Sequence, residues 1–180
     1  MPRLDLMPTP YEELLALPEY MIGEIVGGRL LTRRLPPPRH AYAYLSVVRC
    51  FGVDECCGIR VFPRVEVHLE RDILVPDLAG WRRERMPRLP ETAWFELPPD
   101  WVCEILSPST ARVDRAEKLP IYARHGVKHA WLVDPDLRTL EVFENRASQW
   151  LLLTVLEDAA AVSQPPFDAT SFALDALWAE

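Results

Sequence analysis

The sequence predicts an α/β (α+β) fold, a mixed β-sheet flanked by helices. Three observations predict it. Residues 39 to 133 read in the order helix, strand, strand, strand, helix, strand, which packs helices against a sheet. The runs Trp101-Val102-Cys103-Glu104-Ile105-Leu106 and Ala130-Trp131-Leu132-Val133 are nearly continuous in apolar residues, as buried strands are. Val65-Glu66-Val67-His68-Leu69 alternates instead, the pattern of a half-buried strand.

Taken in order, Thr9-Pro10-Tyr11-Glu12 reads as a helix start, with Thr as N-cap, Pro in the first turn and Glu as the capping-box partner. This helix should run to about Leu17 and stop before Pro18. Met21 to Arg34 reads as a hairpin, because Gly27-Gly28 supplies the positive φ angles of a tight turn. Pro36-Pro37-Pro38 breaks the chain before a helix from about Arg39 to Val53. After Val65–Leu69, Arg71-Asp72 turns the chain into Ile73-Leu74-Val75. Pro76 to Trp81 continues as strand, with Pro76 at a bulge or edge.

The Arg- and Pro-rich stretch 82–100 reads as a loop. A helix follows Ser107-Pro108-Ser109-Thr110 and ends near His125, terminated by Gly126. Beyond the strand at 130–133, Asp134-Pro135-Asp136 is a turn, Thr139 to Glu144 a hairpin partner and Gln149 to Leu156 another strand. Thr170 to Trp178 reads as a short helix. Nothing repeats and no linker divides the chain. We therefore expect a single domain over 1–180, with its core at about 39–133, an N-terminal helix and hairpin at 9–34, and C-terminal strands and short helix at 138–178.

A chain of 180 residues with 49% hydrophobic and 26% charged composition is long enough to bury one full core. No apolar run approaches the ~18 residues a membrane helix needs. The N-terminus has no long apolar stretch behind its basic residue. A cytoplasmic location is the expectation. Cys50, Cys56, Cys57 and Cys103 lack paired zinc-ligand spacing and read as reduced, partly buried thiols.

The net charge of −7 argues against a nucleic-acid partner until its distribution is read. Residues 141–180 carry seven acids against Arg146 alone, while 1–140 carry twenty acids and nineteen bases. Arg29, Arg33, Arg34 and Arg39 fall in a stretch with no acid, and Arg82, Arg83, Arg85 and Arg88 surround only Glu84. Solvated loop arginines and phosphate contacts both fit these clusters.

Glu104 is the most informative residue. A carboxylate inside an apolar strand is costly to bury unless its charge is compensated. Asp77 lies among apolar residues at the start of another strand. If the two strands are neighbours, their carboxylates converge and favour a cation with a taste for oxygen, Mg²⁺ or Mn²⁺. Pairing of each acid with an arginine is the other reading. Lys118 bears on the choice, because only two of the twenty basic residues are lysine. An ion pair with Asp114 one turn earlier would explain it structurally, but arginine would serve there equally well.

Pro76-Asp77, then Glu104-Ile105-Leu106-Ser107-Pro108-Ser109-Thr110, then Asp114, Lys118, Tyr122 and Gly126 at four-residue steps, then Trp131-Leu132-Val133-Asp134-Pro135, together resemble the Uma2 family. Its members are regarded as endonucleases of the PD-(D/E)XK superfamily. Glu24-Ile25-Val26-Gly27-Gly28 and Pro38-Arg39-His40 extend the match, which spans about residues 9 to 178. The resemblance implies a restriction-endonuclease-like core in which Asp77 and Glu104 hold one or two Mg²⁺ (or Mn²⁺). The superfamily's lysine normally stands two residues after the second acid, where this chain has Leu106. Lys118 is implied to take its place. Glu24 would add a third carboxylate. His40 would touch substrate or act as a base, or simply bond to its neighbours at the helix start.

The implied activity is metal-assisted hydrolysis of phosphodiester bonds in nucleic acid, with DNA the first expectation. Arg33, Arg34, Arg39, Arg82, Arg83 and Arg85 are the candidate backbone contacts. A non-catalytic nucleic-acid-binding or assembly module that retains the fold is the alternative, and a homo-oligomer joined through the apolar C-terminal strands is also open. The chain lacks a phosphate-binding P-loop motif, a G-x-S-x-G elbow and an H-E-x-x-H zinc motif.

Overall fold

The computed structural model describes residues 9–34, 38–51 and 58–178. The readings placed on residues 1–8, Pro36-Pro37, the end of the second helix near Val53, and Cys56-Cys57 lie outside them. Helix α1 (Pro10–Leu15) starts on the expected capping box: Glu12 N–H donates to Thr9 Oγ1 at 3.3 Å and Thr9 N–H to Glu12 Oε2 at 2.7 Å. Strands β1 (Met21–Val26) and β2 (Arg29–Arg34) form the hairpin, and its turn places Gly27 and Gly28 at φ +59° and +79°. Helix α2 (Pro38–Phe51) follows.

Four strands come next: β3 (Ile59–Pro63), β4 (Glu66–Leu69), β5 (Asp72–Leu74) and β6 (Leu78–Arg82). The short β7 (Trp94–Phe95) lies within the expected loop, and β8 (Trp101–Ile105) carries Glu104. The helical stretch is α3 (Ala111–Val113), a π-helical turn (Asp114–Lys118) and α4 (Leu119–Arg124). Strands β9 (His129–Asp134), β10 (Thr139–Arg146), β11 (Gln149–Glu157), β12 (Ala161–Val162) and β13 (Phe172–Ala173) complete the order, with a 3₁₀ turn at Leu174–Leu177. The C-terminal segment is thus strand plus 3₁₀ turn where a short helix was expected.

The expected mixed sheet is divided. Five strands pair in the order β2-β1-β5-β4-β7 and six in the order β11-β10-β9-β8-β6-β3. The stretch from Ile73 to Trp81, read as continuous strand, belongs to both sheets. It leaves the first at Leu74 and joins the second at Leu78. Pro76 has no N–H to give a ladder, so the break falls where the backbone can least afford a partner. Strand β3, which no apolar alternation announced, pairs with β6 at the sheet's edge and ends in Pro63, where proline is tolerated.

Parallel pairing of β8 with β9 requires a crossover, which residues 106–128 supply. Side chains of β8 alternate between two cores. Trp101, Cys103 and Ile105 pack with Ala43 and Val47 of α2 and with Leu174, Leu177 and Trp178. Val102 and Leu106 pack with Leu119, Ile121 and Tyr122 of α4. Glu104 shares the second face and so points at the helix that carries Lys118. Cys103 is buried and Cys50 half-buried, both as free thiols.

Pro120 explains the π-turn. A proline inside a helix removes one i→i−4 bond and crowds the carbonyl four residues back. Here Leu119 N–H reaches Asp114 O instead, the i→i+5 bond of a widened turn. At the far edge of the larger sheet, β11 leaves Leu151, Leu152, Leu153 and Val155 exposed. Among the described residues no helix is long and apolar enough to cross a membrane.

Leu132 is fully buried in β9, between its two sheet neighbours. Leu132→Ala should cost about 2–5 kcal/mol of stability in urea unfolding. A loss below about 1 kcal/mol would mean that this strand is not part of the core.

Candidate active site

Register builds the site. Leu78 is opposite Cys103 in the β6–β8 ladder, so the next residues outward, Asp77 and Glu104, lie side by side where the ladder ends. Ile105 N–H donates to Asp77 Oδ2 at 3.0 Å, and Asp77 N–H lies 3.4 Å from Glu104 Oε2. Each carboxylate is tied to the other's strand.

Lys118 reaches the pair from the π-turn. Its Nζ is 2.8 Å from Glu104 Oε1, 3.0 Å from Glu24 Oε1 and 3.4 Å from Asp114 Oδ1. The side chain is only 1% exposed, so its contact with Asp114 is no surface ion pair. Tyr122, one turn on, donates its hydroxyl to Glu104 Oε1 at 2.8 Å. Glu24 enters from β1 and accepts Val75 N–H at 2.7 Å, which fixes the hairpin against the joint between the sheets. His40, near the start of α2, sets Nε2 3.2 Å from Asp77 Oδ2. Its Nδ1 is buried without a hydrogen-bond partner among the described residues.

Of the residues read from the sequence, Asp77, Glu104, Lys118, Glu24 and His40 are therefore brought together. The arginines divide. Arg33 lies inside, with Nη1 3.4 Å from Asp77 Oδ1, and Arg34 is exposed on the wall of the adjoining cavity. Arg39 is exposed, 3.7 Å from Asp136. Arg82 is the last of the five residues of β6, and Arg83 and Arg85 lie beyond it, so all three stand roughly 15 Å or more of strand away from Asp77. Arg85 there meets Asp100 at 2.7 Å. Sequence reasoning did not include Tyr122 or Asp114 in the site, although their spacing of four from Lys118 put all three on one helix face.

The electrostatics are dominated by burial. Glu24, Asp77, Glu104 and Asp114 are all buried acids, and Lys118 is the only fully buried base among the described residues. Burial would raise the Asp77 carboxyl, but the His40 hydrogen bond and the Arg33 charge outweigh it and hold it at about 2. Burial pushes Glu104 up to about 8. Lys118 opposes this, and the neighbouring Asp114, Asp77 and Glu24 reinforce it. Burial also works against the Lys118 ammonium, yet Glu104 and Glu24 raise it well above its ordinary value.

A cavity of about 450 Å³ opens against the cluster, lined among others by Glu24, Arg33, Arg34, His40, Ser107 and Asp114. Asp77 and Glu104 are not among its lining residues. Among the described residues no three His, Cys, Asp or Glu side chains converge as ready metal ligands. The lysine ammonium occupies the middle of the acids. Even so, the acids outweigh the bases enough that Glu104 keeps a proton up to about pH 8, a proton that a bound cation would replace. Hard oxygen donors fit a small divalent cation.

The fold is that of a solved structure described as a "putative nuclease belonging to DUF820" from Anabaena variabilis. The two share 24% identity and a TM-score of 0.78 over 95% of this chain and 97% of the other. The chain itself belongs to the Uma2 family, whose model, described as "Putative restriction endonuclease", matches residues 11–176. No curated protein matches the chain.

The raised Glu104 carboxyl has a consequence for stability. From its ordinary 4.5 to about 8, the folded chain holds a proton that the unfolded chain has released, so metal-free stability should fall as pH rises through this window. Thermal unfolding in EDTA should show Tm declining from about pH 5 to about pH 8, and Glu104→Gln should flatten the decline. An equal slope in the variant would assign the trend to another group.

Proposed function

We propose that this protein is a Mg²⁺- or Mn²⁺-dependent endonuclease that hydrolyses phosphodiester bonds of nucleic acid, DNA first, in the cytoplasm. The observation that carries the reading is the convergence of Asp77, Glu104 and Lys118, from three separate elements, beside an open cavity.

Asp77 and Glu104 would hold the ion. When bound, it supplies Lewis acidity, which lowers the pKa of a water and offsets charge on the phosphate. The chain's own groups do the rest. Lys118, held in place by Glu24 and Glu104, presents a fixed positive charge to the developing charge on phosphate. Tyr122 occupies Glu104 Oε1 and leaves Oε2 towards Asp77, which fixes the carboxylate's orientation. His40, on the wall of the cavity, steadies Asp77 Oδ2. Arg34 and Arg39 stand on the near surface to contact backbone phosphates. Arg82, Arg83 and Arg85 would meet only a substrate long enough to cover the length of β6.

One observation favours a second reading, a binding or assembly module. Both Asp77 oxygens already face protein donors or cations: Ile105 N–H and His40 on Oδ2, Arg33 and Arg64 on Oδ1. For assembly, the apolar edge strand β11 would pair with a second copy and make a homo-oligomer.

Cleavage of plasmid and single-stranded DNA in Mg²⁺ or Mn²⁺ tests the first reading. Asp77→Ala and Glu104→Ala should abolish it, and Lys118→Ala should slow it by about 10²- to 10³-fold. Full activity in both acid variants would sink the mechanism. Calorimetric metal binding without cleavage of any substrate would favour the second reading.

A further inference from the structure

We infer that Arg33 is an exchangeable cation of this site: it rests on Asp77 in the metal-free protein and turns to the scissile phosphodiester when a divalent ion is bound. The inference rests on the nuclease reading and gives that site a phosphate-binding residue with a resting position.

Four observations support it. Arg33 lies on the edge strand β2, but its side chain turns inward and is 17% exposed. Its hold on Asp77 is a poor use of a guanidinium. A single Nη1 contact reaches Oδ1 at 3.4 Å, where a matched carboxylate pair would show two shorter parallel bonds. Nη2 donates to Val75 O at 3.1 Å. Nε is 3.8 Å from Glu24 Oε2 and is buried without a hydrogen-bond partner among the described residues. A buried donor left unmade is costly, and a phosphate oxygen in the adjoining cavity would supply what Nε lacks.

Position supports the exchange. Asp77 Oδ2 is committed to Ile105 N–H and His40, so Oδ1 is the oxygen left to face an ion; Arg33 stands over it at 3.4 Å, nearer than Arg64 at 4.0 Å. A unit positive charge at this distance repels an incoming cation, because attraction and repulsion between charges are strong where water is scarce. Arg33 also lines the cavity together with Thr32, Arg34, Ser107, Ser109 and Thr110, all hydrogen-bond donors suited to phosphate oxygens. The planar fork that fits Asp77 badly fits a phosphodiester well.

The exchange predicts opposite effects of one substitution. In Arg33→Gln, Mn²⁺ measured alone by calorimetry should bind several-fold more tightly, because its competitor is gone. A fluorescent single-stranded DNA decamer, followed by anisotropy in Ca²⁺, should bind about 10- to 100-fold more weakly. Arg33→Lys keeps the charge but loses the fork, so Mn²⁺ affinity should stay near wild type while decamer binding falls. A merely structural Arg33 would weaken both affinities together, and that result overturns the exchange. So does unchanged decamer binding in Arg33→Gln. Absence of any Mn²⁺ binding sensitive to Asp77→Ala in the wild type would overturn the metal reading beneath it, a separate and recognisable failure.

Discussion

The structure around this site depends on one contact, the buried ammonium of Lys118 between Glu24 and Glu104. Four carboxylates brought into a low-dielectric interior would repel one another and the fold with them, and ions are costly to bury without partners. Lys118 is the counter-charge that lets the hairpin, strand β8 and the π-turn close on a common point. Removing one member of such a buried set leaves the others uncompensated, so the cluster has to be kept or lost together. The repulsion that remains is taken up by the proton that Glu104 keeps up to about pH 8.

The geometry that delivers Lys118 is local in origin. Asp114, Lys118 and Tyr122 are spaced by four, and in a regular α-helix each such step overshoots a full turn. The wide turn forced by Pro120 takes up that overshoot, so the three side chains meet Glu104 and its neighbours along one ridge. A π-turn at a functional site is a recurrent device, and here a single proline without an N–H accounts for it.

Much of this was legible beforehand. Helix α1, the Gly27-Gly28 hairpin, β8 to β11 and the five converging residues could be read from capping signals, apolar runs, one misplaced carboxylate and a rare lysine. What was not legible had a common cause: it depended on partners distant in sequence. Nothing local says that the chain changes sheets at Pro76, because β5 and β6 look alike as apolar runs. Arg33 read as a surface phosphate contact because the four arginines of that stretch are alike in type, and only the packing turns this one inward. Arg82, Arg83 and Arg85 read as a second basic cluster, and sequence alone does not give its distance from the acids. Tyr122 was visible in the spacing, but its role needed Glu104 to be placed against it.

Asp72 gives the hairpin a mechanical character. Its buried carboxylate accepts Gly27 N–H at 2.6 Å and also holds Arg124 of α4. Arg29, beside the same turn, is fastened to Glu117 of the π-turn, and β1 joins β5 through the single pair Ile25 and Ile73. All three fastenings sit at the turn end of the hairpin. The opposite end, where Arg33 and Arg34 border the cavity, is tied through one guanidinium, that of Arg33, which reaches Asp77 Oδ1 and Val75 O. The hairpin is thus pinned at both ends, by several unlike contacts at the turn and by an arginine at the cavity.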